Sequence, residues 1–445
     1  MLVDHFISVF NEHREKVAIV WNDNYYSYKQ LIDDYLKWDK FLNDSKIFSA
    51  VIGLQGDFTP NCIAFLFAAI NQNNIIAPFN LSAGDSIKSK LEIAGIEHLF
   101  IFNESDDFSH KPLNFQAEHP FYTQLRAEDA PGLILFTSGT SGKPKAAVHD
   151  FNKLLQKFLV SRISLKTVNF LLFDHWGGLN TMFHTLSNGG VVLSLKNRTP
   201  DAVCSFIEKY NVELLPASPT FLNLLLISEA YKRFDLSSLN IISYGTEPMP
   251  ENTLKRLNEI FPDVRLQQTY GLIELGVLRS KSKGNNSLWV KIGGEGFDVR
   301  VVDGMLQIKA DSAMLGYLNA PSPFTDDGYF VTGDAVEVDG DYYKILGRKS
   351  ELINVGGEKV FPREIENVIQ EIDNVEDVTV FSEPNPITGQ IVCAKIKLKK
   401  DSDHKSFIKE VKSYCRSRLA SFKVPVKISI DTSELYGDRF KKIRN

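Results

Sequence analysis

The sequence predicts an α/β protein of two domains, a large one followed by a smaller α+β one, and three observations carry that expectation. The chain has 445 residues, more than one ordinary core organises. From about residue 15 to 270, short β-branched runs alternate with longer amphipathic ones, the pattern of stacked α/β units. After about residue 290 the pattern changes to short strands with tight turns, and within residues 347–353 a further α+β pattern opens.

Taken in order, residues 133–136 read as a strand. Asp150 offers an N-cap carboxylate to a helix running through Lys157, and Thr199-Pro200 marks another helix start, with proline where its missing N–H costs nothing. Strands are expected at 241–244 and 264–269, around a helix that follows Pro250. Asp339-Gly340 supports a hairpin within residues 336–343. Beyond it the pattern gives a helix over 362–372, strands either side of Asn385 and a helix over 406–419. No internal repeat, low-complexity tract or long linker interrupts the series.

Composition narrows the function classes. A hydrophobic content of 43% and a formal net charge of −5 are those of a globular protein and argue against a disordered chain or one that coats nucleic acid. Cys62, Cys204, Cys393 and Cys415 are far apart and have no metal-ligand spacing, which suits a reducing compartment without structural disulfides. The N-terminus has no basic region followed by a long apolar run, and no stretch of about 18 apolar residues occurs. A soluble, cytoplasmic protein with no membrane span is the expectation.

The strongest local signal is Leu135-Phe-Thr-Ser-Gly-Thr-Ser-Gly-Lys-Pro-Lys145, a strand running into a loop of hydroxyls, glycines and lysines. Glycines let backbone N–H groups turn towards an anion, hydroxyls add donors and lysines supply charge, so the segment suits a polyphosphate. It is not a Walker loop, because only two residues separate Gly139 from Gly142 and Pro144 follows Lys143. A surface loop has the same composition, and the segment alone does not separate the two.

The segment is similar to the phosphate loop of the adenylate-forming superfamily, which includes acyl-CoA synthetases, carrier-protein ligases, adenylation domains and luciferases. Five further segments follow in that family's order between residues 133 and 444, so the resemblance covers nearly the whole chain. It implies an N-terminal AMP-binding domain over 1–348, made of two stacked α/β subdomains and a small β-rich one. A mobile C-terminal α+β domain over 349–445 would follow, hinged at Lys349 and Ser350.

The resemblance also implies roles. Thr137, Ser138, Gly139, Thr140, Ser141, Gly142 and Lys145 would hold phosphate. Tyr244-Gly-Thr-Glu-Pro-Met249 resembles the adenine-side loop, giving Gly245, Thr246 and Glu247. Gln268-Thr-Tyr-Gly-Leu-Ile-Glu274 resembles the next motif, in which Thr269, Tyr270 and Gly271 meet the nucleotide, Tyr270 stacking on the adenine, and Glu274 holds Mg²⁺. A hard cation suits a carboxylate that leaves its other positions to water and phosphate. Asp334 and Arg348 look like the pair that grips the ribose hydroxyls.

Three assignments keep alternatives. His175, in an H-x-x-G element with Gly178, borders the acyl pocket in relatives, together with Phe221, Tyr244 and Gly271; a hydrogen-bonded structural histidine is the other reading. Gly356 and Gly357 would line a tunnel for pantetheine, or simply make a tight turn before the helix at Pro362. Phe440-Lys-Lys-Ile-Arg444 is similar to the family's closing Gly-Lys-x-x-Arg, which makes Lys441 the active-site lysine and Lys442 its competitor.

Three departures from the pattern stand out. Ile273 occupies the place of a threonine that touches the α-phosphate, Ala146 that of a glycine, and Ser350 that of an aspartate or lysine. The function implied is ATP-dependent activation of a carboxylic acid to its acyl-adenylate, with Lys441, Glu274 and Thr140 as the catalytic set, followed by transfer to a thiol. CoA is the favoured acceptor, the phosphopantetheine of an acyl or peptidyl carrier protein the alternative, and a nucleotide binder that has lost catalysis a third reading. Residues expected around the pocket are mostly apolar, which favours a fatty or aromatic acid over a charged amino acid.

Overall fold

The computed structural model describes residues 2–81, 87–137 and 144–431. Its first layer is a seven-stranded sheet in the order Arg265–Gln268, Ile241–Tyr244, Leu214–Ala217, Lys166–Asn169, Val191–Ser194, Val17–Trp21, Asn24–Ser27. All neighbours are parallel except the final hairpin. A second seven-stranded sheet runs Gly316–Tyr317, Lys145–Asp150, Gly132–Thr137, Ile75–Asn80, Val51–Gly56, His98–Phe102, Phe108–Pro112. Its four central strands are parallel, and antiparallel strands close each end.

The helices Tyr28–Asp44, Pro60–Asn71 and Trp176–Leu186 lie in a core that joins Ile19 and Val192 of the first sheet to Ile52 and Leu133 of the second. Pro60–Asn71 is apolar all round because it is covered on every side, with Ile63, Phe65, Phe67 and Ala68 all buried. Separate cores cover the outer faces of the two sheets.

A six-stranded antiparallel sheet follows, from Ser280–Ser282 at one edge to Phe297–Val302 at the other. Its central hairpin pairs Phe330–Asp339 with Tyr342–Arg348 around a two-residue loop in which Gly340 adopts φ 58°. The last unit is a sheet of five strands with the helices Pro362–Ile369 and His404–Arg416 on a core of its own. Among the described residues it meets the N-terminal part where Asn252 donates to the Gln370 carbonyl at 3.4 Å.

Several elements differ in length from the sequence reading. Asp150 does cap its helix, accepting from the Asn152 N–H at 2.9 Å, but the α-helix ends at Leu155 and a 3₁₀ turn, Gln156–Leu159, carries Lys157. The helix at Pro362 stops at Ile369, and the expected 406–419 helix is His404–Arg416, capped by Asp403. The four cysteines are buried and unpaired. No helix among the described residues is long and apolar enough to cross a membrane.

Candidate functional site

Three parallel strands of the first sheet, Leu214–Ala217, Ile241–Tyr244 and Arg265–Gln268, run in register and end at one cavity of about 210 Å³. The carboxyl ends of parallel strands are where such sheets leave a crevice, because each chain there must turn away to its next helix. Ala217, Ser243, Gly245 and Thr269 line it from that side. Gly245 admits no side chain, since a Cβ there would sit 2.4 Å from the Thr269 hydroxyl oxygen. Thr246, also on the wall, holds φ 73°, a left-handed conformation that costs a β-branched residue of order 1–3 kcal/mol and is found where backbone is held for function. Glu247 turns away and accepts the Thr220 N–H at 2.7 Å, capping the helix Pro219–Ser228.

The opposite wall is one face of the helix Trp176–Leu186. Trp176, Gly177, Asn180 and Thr181 recur at the i, i+4 spacing of that face. His175 caps the helix and also lines the cavity. Its Nδ1 accepts the Gly177 N–H at 3.0 Å, and because an amide only donates, the proton of a neutral His175 ring sits on Nε2.

The expected acyl-pocket set is thus only partly assembled. His175 and Gly271 line the cavity, whereas Phe221 and Tyr244 are fully buried in the core behind the first sheet and Gly178 is a packing position. A Cβ on Gly178 would lie 2.3 Å from the Leu172 carbonyl oxygen. The residues missed were those on the helix face, whose signal was the helical period following His175.

Glu274 and Ile273 complete the rim. Glu274 accepts the Tyr317 hydroxyl at 2.6 Å and its carbonyl accepts the Met314 N–H at 2.8 Å. One carboxylate on the wall suits Mg²⁺, which binds through one or two carboxylates and keeps its remaining positions for water and phosphate. Ile273 also packs against two core clusters, so its side chain serves both cavity and core.

Arg348 reaches the cavity from the antiparallel sheet and pairs through Nε with Asp334 at 3.2 Å. Asp334 is 5% exposed. Burial pushes its carboxyl above the usual range, while Arg348 and a 2.5 Å hydrogen bond from Tyr270 pull it back. The Tyr270 ring packs in the core of this sheet at 7% exposure, and its hydroxyl holds Asp334.

Thr137 ends its strand on the cavity wall, and Lys145 opens the returning strand with Nζ 5.3 Å from the Tyr317 ring centroid. Ser138, Gly139, Thr140, Ser141 and Gly142 lie outside the described residues, as do Lys441, Lys442 and Arg444. Gly356 and Gly357 are the exposed two-residue loop between Ile353–Val355 and Glu358–Val360, at φ 62° and 97°. Lys349 and Ser350 form an exposed 3₁₀ turn directly after Arg348.

The family model described as AMP-binding enzyme matches residues 7–318, and its C-terminal domain matches 364–435. Among curated relatives, 4-coumarate–CoA ligase-like 9 of Arabidopsis thaliana is 29% identical over 64% of this chain and 56% of its own length. The long-chain-fatty-acid–CoA ligase FadD13 of Mycobacterium tuberculosis is 28% identical over 66% and 62%, and the indoleacetate–CoA ligase of Aromatoleum aromaticum 30% identical over 60% and 57%. The matched stretches therefore span less than two thirds of these relatives. Among solved structures, the anthranilate CoA ligase AuaEII with anthranoyl-AMP superposes at TM-score 0.83, with 18% identity over 99% of this chain and 95% of that one. ATP-bound MatB from Rhodopseudomonas palustris superposes at 0.81, with 21% identity over 99% and 97%. These likenesses carry the fold, and the family model, covering well over half of the sequence, carries membership: the chain belongs to the AMP-binding enzyme family.

Proposed function

We propose that this protein uses ATP to convert a carboxylic acid into its acyl-adenylate, releasing pyrophosphate, and then passes the acyl group to the thiol of CoA. The observation that carries the reading is that one cavity sets the helix face of Trp176, Gly177, Asn180 and Thr181, with His175, opposite strand ends, Glu274 and the Arg348–Asp334 pair. A substrate carboxylate is already a nucleophile, so the protein needs no covalent residue. It must strip water from the carboxylate, align it with the α-phosphate and offset the charge that builds there.

In this reading Arg348 and Asp334 take the ribose edge, and Gly245 and Thr246 let the adenine approach the backbone. Thr137, Lys145 and the loop between them hold the phosphates, and Lys441 donates to the reacting oxygens. Magnesium, when bound through Glu274, supplies neutralisation of phosphate charge. Residues 349–445 would then rotate about Lys349 and Ser350, withdrawing Lys441 and admitting the thiol past Gly356-Gly357. Leu171, Trp176, Pro216 and Val277, with the uncharged Asn180 and Thr181 on the same wall, favour an aryl or fatty acid over a charged one.

The test is ATP–pyrophosphate exchange across a panel of carboxylic acids, with acyl-CoA measured in parallel. Exchange and thioester with one apolar class is the expected result. No exchange with any acid would mean a nucleotide binder without catalysis. Exchange with no acyl-CoA at millimolar CoA, alongside loading of a holo carrier protein, would replace the acceptor.

A further inference from the structure

We propose that the short strand Gly316–Tyr317 and the residues after it position the two charged ends of the phosphate site, with Tyr317 fixing both Glu274 and Lys145. The proposal rests on the nucleotide role assigned above to Glu274 and Lys145, and adds a residue that the sequence motifs did not single out.

The contacts converge from two directions. The Tyr317 hydroxyl donates to Glu274 Oε1 at 2.6 Å, and its ring lies within cation–π range of the Lys145 ammonium at 5.3 Å. Tyr317 is 9% exposed, and its neutral phenol is a donor to the carboxylate. The backbone is fixed as well. Gly316 and Tyr317 pair antiparallel with Val148 and Ala147, the Leu315 N–H donates to the Val148 carbonyl, and the Leu318 N–H donates to the Ala146 carbonyl.

Asn319 then binds the other side of the same turn. Its Oδ1 accepts the Ala146 N–H at 3.0 Å and its Nδ2 donates to the Pro144 carbonyl at 2.9 Å. Residues 144–148, where the chain returns from the phosphate loop, are thus sewn to 315–319, and the same segment reaches Glu274 through Tyr317 and the Met314 N–H. A carboxylate from the turn at residues 273–275 and a lysine from the strand Lys145–Asp150 are thus met by one aromatic side chain. Gly316 makes the approach possible, since a Cβ there would lie 2.5 Å from the Phe121 ring.

The experiment compares wild type with Tyr317→Phe, which keeps the ring and the cation–π contact but removes the hydroxyl. Binding of ATP is measured by calorimetry over a Mg²⁺ series, and AMP binding without Mg²⁺ serves as the reference. The Mg²⁺ concentration for half-maximal enhancement of ATP binding should rise about tenfold, as expected for losing one hydrogen bond to a charged group, with AMP affinity changed less than about twofold. In a Glu274→Gln background the same change should have no further effect, and Asn319→Ala supplies a second variant acting on the loop exit. Equal weakening of AMP and ATP, an unaltered Mg²⁺ dependence, an undiminished effect in the Glu274→Gln background, or a wild type whose ATP binding ignores Mg²⁺ would each overturn the proposal. Because no acid takes part in this measurement, a protein with the expected Mg²⁺ behaviour but no pyrophosphate exchange would refute the proposed function while leaving the role of Tyr317 standing.

Discussion

Lys157 gives the sharpest link between burial and a measurable quantity. Its ammonium donates to the Val277 carbonyl at 2.9 Å and lies near the Phe158 and Trp176 rings, with Arg162 adding repulsion. Burial pushes it down to about 7 from the 10.5 of an ordinary lysine. The unfolded chain therefore holds more protons than the folded one between those values, and stability rises with pH across that window. The penalty is fully present below about pH 7, is lost as pH rises, and has gone above about pH 10.5. This one group should add about 2 kcal/mol of stability between pH 7 and 9, from a limiting slope of about 1.4 kcal/mol per unit. Other groups titrate too, so the informative quantity is the difference from Lys157→Met, which keeps the stem and removes the proton. Urea midpoints at pH 7, 8 and 9 should show the variant gaining less with pH than wild type, the gap in unfolding free energy shifting by about 2 kcal/mol. Parallel curves would refute the argument and mean that Lys157 reaches water when charged.

Two further substitutions test the packing at and behind the cavity wall. Gly178→Ala places a methyl against the Leu171 and Leu172 carbonyls, which are backbone and cannot swing aside, so a loss of about 2 kcal/mol or more is expected by urea unfolding. Ile273→Thr should cost about 1 kcal/mol in stability, because Ile273 packs against two cores, and should tighten ATP binding severalfold by restoring a hydroxyl beside the phosphate site. A variant that loses stability without gaining affinity in calorimetry would mean that the neighbourhood has repacked around the apolar side chain.

The alternation of α and β was legible because buried parallel strands read as apolar runs bounded by turn residues. Residues 241–244 form the expected strand for that reason. Which of those residues meets the cavity was not legible from motif membership. Neighbours on a strand point to opposite faces, so Ser243 lines the cavity while Tyr244 enters the core. The helix after His175 repeats the lesson with its own period: Gly177 lies on the cavity face and Gly178, one step round, packs against backbone. Gly356-Gly357 marks a limit of a different kind. A tight two-residue turn and a backbone-lined tunnel both favour glycine, and the sequence states only that shared requirement.

The Asp334–Arg348 pair shows how much can rest on one residue of register. Counting outward from the turn, Asp339 faces Tyr342 and Val336 faces Ile345, and the same count would set Asp334 against Gly347 and leave Arg348 one step further along. Adjacent positions on a strand point to opposite faces, so Arg348 would then turn away from the cavity. The register shift between Ala335 and Val336 inserts one extra residue into the second strand, and beyond it Ala335 faces Gly347 and Asp334 faces Arg348. Bulges of this kind re-aim side chains beside functional sites. The resemblance alone paired these two residues, which lie beyond the expected hairpin at 336–343. Only the bulge brings the guanidinium over the buried carboxylate, where Tyr270 holds the second oxygen.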